Sequence, residues 1–288
     1  VVLLDELYGG THAFATDTFD RLGIRYSFAA TDAYAVIQAS TQTTKVIIIE
    51  SPTNTLLGII DIRSIAEFAR SRGITTIIDN TFATPVNQRP LSLGIDVVIH
   101  SGTKYLGGHS DICCGISITS HEYADRIRAM ARHLGGSLNA ITCYLLERSL
   151  KTLAIRVERQ TQNAHRIAEF LDSHNFVTKV NYPGLPNFRG HAVARSQMTG
   201  FGGMLSFELN ENRVSTKAFL RRLRMIRPAV SLGGVESIIC APSETSHVKI
   251  SSEERRRIGI NDSLLRLSVG IEHADDIIED ISQALNER

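Results

Sequence analysis

An α/β fold, with a mostly parallel sheet followed by a smaller α+β unit, is what the sequence predicts from three observations. Residues 45–50 read KVIIIE, a β-branched run of the kind that forms a strand buried on both faces of a parallel sheet. Helical and extended patterns alternate through the first half of the chain. A long stretch free of glycine and proline, residues 140–171, then separates this half from a second set of strands and helices.

The elements follow in order. Residues 1–5 read as a strand, without an initiator methionine, a basic leader or a small-residue cleavage site, so no targeting signal is expected. After the strand at 45–50, Asp61 offers an N-cap, and Ile62, Ile65, Ala66 and Ala69 recur at helical spacing. Arg70 and Arg72 fall in the last turn, and Gly73 is placed to end the helix. Further strands are expected at 74–78, 95–99 and 112–118. Residues 140–171 predict one or two consecutive helices linking two domains, 1–155 and 156–288. The second domain has its own strands at 177–182 and 204–209 and helices at 216–225 and 275–285, and Ser251 with Glu254 forms a capping box.

A chain of 288 residues has the length of roughly two domains at about 150 residues each. Lys and Arg number 31 against 30 Asp and Glu, a net charge of +1, which supplies no general field for nucleic acid or an anionic membrane. The longest purely aliphatic run, residues 46–49, is far too short to span a bilayer. Cys113, Cys114, Cys143 and Cys240 lack the spacing of a zinc knuckle or a disulfide framework, which fits a reducing, cytoplasmic setting. Small molecules and protein partners remain.

In open α/β sheets ligands gather beyond the carboxyl ends of the strands. Three polar segments stand there: residues 51–54 (SPTN), 79–81 (DNT) and 100–109 (HSGTKYLGGH). Lys104, in a Ser/Gly/Thr loop after a buried strand, is a candidate imine-forming amine whose pKa desolvation would lower. Ser101 and Thr103 flank it with hydroxyls and Gly102 allows close backbone approach, a combination suited to a phosphate. Asp79 follows a buried run, and a carboxylate there is expensive unless a cation such as a pyridinium nitrogen meets it. Taken singly, Lys104 reads as a solvated loop lysine and Asp79 as a cap or turn residue. Their shared location favours pyridoxal 5'-phosphate (PLP). His100 and His109 lack a third ligand at sensible spacing, so no metal is expected, and the arginines at 221, 222, 224 and 227 read as a solvated helix face.

ESPTN at residues 50–54, DNTF at 79–82 and HSGTKYLGGHSD at 100–111 resemble the PLP enzymes of cysteine and methionine metabolism, the group of the cystathionine gamma-synthases, cystathionine gamma-lyases and methionine gamma-lyases. The resemblance continues through LYGGT (7–11), YPGLP (182–186), SLGGVES (231–237) and LLRLSVGIE (264–272), so it covers essentially the whole chain. It implies fold type I, the aspartate aminotransferase-like architecture. By the same resemblance Lys104 would bind PLP as an imine and then shuttle protons, Asp79 would keep the ring nitrogen protonated, and Ser101 and Thr103 would bind the phosphate. Tyr8 would stack on the ring and assist proton transfer, and Asn54 would contact the ring oxygen and the substrate carboxylate. Arg266 would clamp that carboxylate, and Ser231 would support it. The implied activity is γ-elimination or γ-replacement on a sulfur amino acid or an activated homoserine, by a homotetramer built as a dimer of dimers.

Family chains begin upstream, with a Gly-containing phosphate loop and Tyr and Arg residues that reach the neighbouring subunit, so this chain is expected to be a fragment. Within it, Thr55 stands where the family has proline, and residues 139–142 (NAIT) replace a Ser-Pro-aromatic-Asp run near the substrate entrance. Gly10 replaces the reactive cysteine of methionine gamma-lyases, and Val230 the glutamate frequent in cystathionine enzymes. Two rival readings remain at this point: a PLP-free Schiff-base lyase using Lys104, and a catalytically silent homologue serving as an oligomer scaffold.

Overall fold

The computed structural model describes residues 1–245, 253, 255 and 258–286, so the Ser251/Glu254 pair lies outside the described residues. The first half comprises β1 (Val2–Leu4), α1 (Gly9–Thr18), β2 (Ser27–Ala29), α2 (Ala33–Ala39), β3 (Val46–Glu50), α3 (Ile62–Arg72), β4 (Thr75–Asp79), α4 (Thr84–Asn87), β5 (Val97–Ser101) and β6 (Gly115–Thr119). Its six strands lie in the order β2-β1-β3-β4-β5-β6. All pair in parallel except β6, which runs antiparallel to β5. Val2, Leu4, Ile47, Ile49, Ile65 and Ile78 share one core cluster, which is why the KVIIIE run needs no polar alternation. The α3 helix ends as its sequence implies: the Asp61 side chain accepts from the Ser64 N–H at 3.1 Å, and Gly73 adopts a left-handed φ of 62°.

The stretch 140–171 divides into α6 (Ala140–Leu150) and α7 (Leu153–Asp172), preceded by α5 (His121–Leu134). A second sheet follows, made of β7 (Val177–Asn181), β8 (Met204–Leu209), β9 (Arg227–Pro228), β10 (Ile238–Cys240) and β11 (Leu264–Ser268), in the order β7-β8-β11-β10-β9. It carries α8 (His191–Gln197), α9 (Thr216–Arg222) and α10 (Ala274–Asn286). Its core joins Phe207, Phe219, Leu265 and Ile277 to Val157 of α7, and also to Tyr105 and Leu106, the residues that follow Lys104. The second sheet and α7 therefore pack against the lysine loop.

Two differences from the sequence pattern have local causes. The strand expected at 112–118 starts only at Gly115, because the Cys114 N–H donates to Thr103 Oγ1 at 3.0 Å instead of entering the ladder. The central strand β11 escapes an alternation search because it is buried at all five positions, Arg266 included.

Candidate active site

The strands β3, β4 and β5 are parallel neighbours, with Glu50 opposite Asp79 and Asp79 opposite Ile99, so the three polar segments do emerge along one edge. Asp79 Oδ1 accepts from the Thr81 N–H at 3.0 Å and from the Thr81 hydroxyl at 2.6 Å. Its Oδ2 makes no hydrogen bond among the described residues. Burial pushes the Asp79 carboxyl above its usual range, with the two Thr81 donors pulling the other way. Thr81 Oγ1 also accepts from the Ser101 N–H at 2.8 Å, which ties the aspartate to the start of the lysine loop.

That loop is tight. A Cβ added to Gly102 would stand 2.5 Å from Cys114 Sγ, and Lys104 itself has φ −93° and ψ −128°, a break inside an otherwise helical turn. Lys104 Nζ donates to Ser231 Oγ at 2.7 Å. Burial, then the nearby Arg266 guanidinium, hold the Lys104 amine below the usual lysine value, against a smaller opposing pull from Cys113. Ser231 sits in the left-handed region at φ 84°, a costly conformation for a non-glycine residue that clusters at functional sites. Two residues on, a Cβ at Gly233 would lie 2.7 Å from the Tyr105 nitrogen, so only glycine lets these loops meet. Thr103 turns its hydroxyl away to the Cys114 backbone, donating to that carbonyl at 3.3 Å.

Arg266, 6% exposed, projects from β11. Its Nη1 donates to Asn54 Oδ1 at 2.9 Å and its Nη2 to the Ser231 carbonyl at 3.0 Å, while Nε has no partner among the described residues. Lys104, Ser231, Arg266 and Asn54 thus form one bonded chain across both halves of the molecule. Asp79 and Ser101 form a second group through Thr81. Among the described residues Tyr8 joins only through its main chain: its N–H donates to Glu50 Oε2 at 2.7 Å, and the residue is 58% exposed.

Glu50 is a site residue that motif reading left without a role. Its other oxygen accepts from the Asn54 N–H at 2.8 Å, so one carboxyl group fixes the backbone of both Tyr8 and Asn54. Burial, then the Asp79 carboxylate, push Glu50 well above its ordinary range. The available signal was an acid ending a fully apolar strand, the same signal that singled out Asp79. Of the two histidines, His100 is buried on β5 and His109 Nδ1 lies 2.7 Å from the Gly107 carbonyl, so each has a separate structural place.

A desolvated lysine, the half-buried Asp79 carboxylate with one oxygen unbonded among the described residues and a glycine-lined loop fit an aldehyde, a ring nitrogen and a phosphate, the three handles of PLP. Comparison with known proteins agrees: residues 1–286 match the family described as Cys/Met metabolism PLP-dependent enzyme. The chain is 46% identical over 288 residues to the cystathionine gamma-lyase of Bacillus subtilis (strain 168), covering 99% of this chain and 76% of the relative. It is 43% identical over 287 residues to a cystathionine beta-lyase of Lactococcus lactis subsp. cremoris, with 99% and 75% covered. A crystal structure of cystathionine gamma-lyase from Lactobacillus plantarum complexed with L-serine superposes with a TM-score of 0.94 at 40% identity, covering 98% of this chain and 75% of that one. The chain belongs to the PLP-dependent enzymes of cysteine and methionine metabolism and has their fold type I architecture. Its cofactor is PLP, and its relatives place it among the trans-sulfuration enzymes.

Proposed function

We propose that this protein breaks or exchanges the γ substituent of a sulfur amino acid or an activated homoserine, as a cystathionine gamma-lyase or gamma-synthase does. The observation that carries this reading is the bonded chain from Lys104 Nζ through Ser231 to Arg266 and Asn54, which sets a basic amine beside a carboxylate clamp. PLP, when bound, supplies an electron sink that makes proton loss from the substrate carbon next to the amine feasible.

The chain's own residues do the rest. Lys104, held below the usual lysine value, has a larger neutral fraction than a free lysine, and it takes the Cα proton and returns it along the substrate. Ser231 Oγ keeps the Lys104 amine in place between transfers. The Arg266 guanidinium enters the cleft already oriented on two sides and grips the substrate carboxylate with its planar fork. Asp79 holds the proton on the cofactor's ring nitrogen, which also removes the cost of its own burial. Ser101 and Thr103 would bind the phosphate, the Thr103 hydroxyl being tied to the Cys114 main chain on both its donor and acceptor sides. Asn54, bonded to Arg266, would hold the ring oxygen and the substrate carboxylate, and Tyr8 would help hold the ring and assist proton transfer.

The domain division at 155/156 and self-association complete the proposal. Met130 and Leu134 on α5, Ile141 and Tyr144 on α6 and Ile155 at the start of α7 are apolar side chains each more than half exposed. Exposed apolar side chains of this kind support contact between copies of the chain, here in a dimer of dimers. The four cysteines are unpaired thiols, in keeping with work in the cytoplasm, and among the described residues no helix is long and apolar enough to cross a membrane.

The test is product analysis on the PLP-loaded protein. With L-cystathionine a γ-lyase releases 2-oxobutyrate, ammonia and cysteine, whereas with O-succinylhomoserine and L-cysteine a synthase makes cystathionine. Formation of neither product, or of pyruvate in place of 2-oxobutyrate, would overturn the assignment.

A further inference from the structure

Helix α7 carries three buried polar side chains, Arg156 (4% exposed), Gln160 (0%) and Asn163 (1%), at spacings that put them on one face. Each donates to the backbone of a different loop of the site. Arg156 Nη1 donates to the Tyr105 carbonyl at 2.8 Å, directly after Lys104, and its Nη2 to the Ser149 carbonyl at 2.9 Å. Arg156 Nε in turn donates to Thr152 Oγ1 at 3.1 Å, which fixes the guanidinium. Gln160 Nε2 donates to the Gly234 carbonyl at 2.7 Å, three residues beyond Ser231. Asn163 Nδ2 donates to the carbonyls of Gly270 at 3.1 Å and Glu272 at 2.8 Å, just past the strand that bears Arg266.

These acceptors are main-chain carbonyls of the loops, and the Ser149 carbonyl also accepts from the Thr152 N–H and hydroxyl, each at 3.2 Å. Arg156 is a costly way to bond them, because it brings a buried cation that meets carbonyl dipoles and, among the described residues, no carboxylate. What the guanidinium gains over a neutral donor is a rigid fork that fixes the two turns flanking it. The fit is close: a Cβ at Gly108, which sits at φ +72°, would lie 2.6 Å from Arg156 Cζ. The seam is cross-tied as well, since the Val235 N–H donates to the Gly108 carbonyl at 3.0 Å and the Ile271 N–H to the Val235 carbonyl at 2.8 Å.

We infer that Arg156, Gln160 and Asn163 form a positioning seam that sets Lys104, Ser231 and Arg266 against one another, with Arg156 fixing the backbone from which Lys104 reaches its proton. The inference rests on the site assigned above. Two different losses follow from the geometry. Loosening Arg156 displaces the amine and costs turnover, whereas loosening Asn163 displaces the carboxylate clamp and costs substrate affinity.

The experiment measures kcat, KM and Tm on the PLP-loaded full chain, and an absorbance-monitored PLP titration on the PLP-free full chain, for Arg156→Lys, Thr152→Val and Asn163→Ala, with Lys104→Ala as control. Arg156→Lys should lower kcat by about tenfold to a hundredfold, with KM within about twofold, and weaken PLP capture. Thr152→Val removes the hydroxyl that accepts from Arg156 Nε and donates to the Ser149 carbonyl; it should lower kcat by about twofold or more in the same direction, and it decides the matter if Arg156→Lys does not fold. Asn163→Ala should raise KM several-fold at little cost in kcat. If the Arg156 and Thr152 variants lose Tm yet keep kcat and PLP titration intact, the seam is structural only and the inference is wrong. An active Lys104→Ala would instead overturn the site assignment itself.

Discussion

The two sheets reach the same cleft with opposite electrostatic habits. The six-stranded sheet ends in two carboxyls one strand apart, Glu50 buried and Asp79 half-buried, and desolvation disfavours charge on both. The five-stranded sheet contributes a buried cation, Arg266, already bonded to the Asn54 side chain and the Ser231 carbonyl. At the first edge Glu50 is bonded by the Tyr8 and Asn54 N–H groups while Asp79 Oδ2 is left for a ligand, whereas the second edge is assembled before any ligand arrives. Function is stored on one side as unfavourable burial and on the other as preorganised geometry.

Removing the stored cost at the first edge gives the largest expected effect. Asp79→Asn keeps an acceptor for both Thr81 donors but loses the charge that would hold a ring proton, so turnover should fall by about a hundredfold or more. Because a buried carboxylate disappears, the Tm of the PLP-free protein should stay level or rise. A Tm loss comparable to the activity loss would erase the contrast between the two edges. Next, Arg266→Lys exchanges a bonded fork for a point charge, and KM for the amino acid should rise by about tenfold to a hundredfold with a smaller change in kcat. A larger effect on kcat than on KM would show that Arg266 does more than bind.

Smaller effects sharpen the comparison through stability. Gly233→Ala forces a Cβ to within 2.7 Å of the Tyr105 nitrogen at φ 78°, and should cost about 1–3 kcal/mol in denaturant unfolding. His100, buried on β5, has its pKa lowered from 6.5 to about 4 by burial. The neutral form is therefore the native one. Its contribution is complete above pH 6.5 and is lost as pH falls toward about 4, at no more than about 1.4 kcal/mol per pH unit. Unfolding curves at several pH values should show that slope in the wild type and a shallower one in His100→Leu.

The same contrast explains what was legible beforehand. Lys104, Asp79, Ser101 and Asn54 follow apolar strands in short Gly/Ser/Thr/Asn segments, where a polar residue stands out against its neighbours. The alternation of strands and helices, and with it the converging edge, could be read the same way. Arg156, Gln160 and Asn163 are interleaved with other polar and charged residues along α7, and nothing in that pattern says that three of them face inward. Their role depends on the carbonyls of distant loops, which only the tertiary packing supplies. Glu50 was visible as an acid at the end of KVIIIE, but its two acceptor roles depend on Tyr8 and Asn54 arriving together. The arrest of β6 at Gly115 likewise comes from a bond between Cys114 and Thr103 that spacing does not announce.

The most direct measurement is a visible absorption titration of the protein with PLP, comparing the wild type with Lys104→Ala. A saturable coloured species that forms in the wild type and is absent in a folded Lys104→Ala variant is the predicted result. The same species at the same PLP concentration in both proteins, or in neither, would contradict the placement of the reactive amine at Lys104.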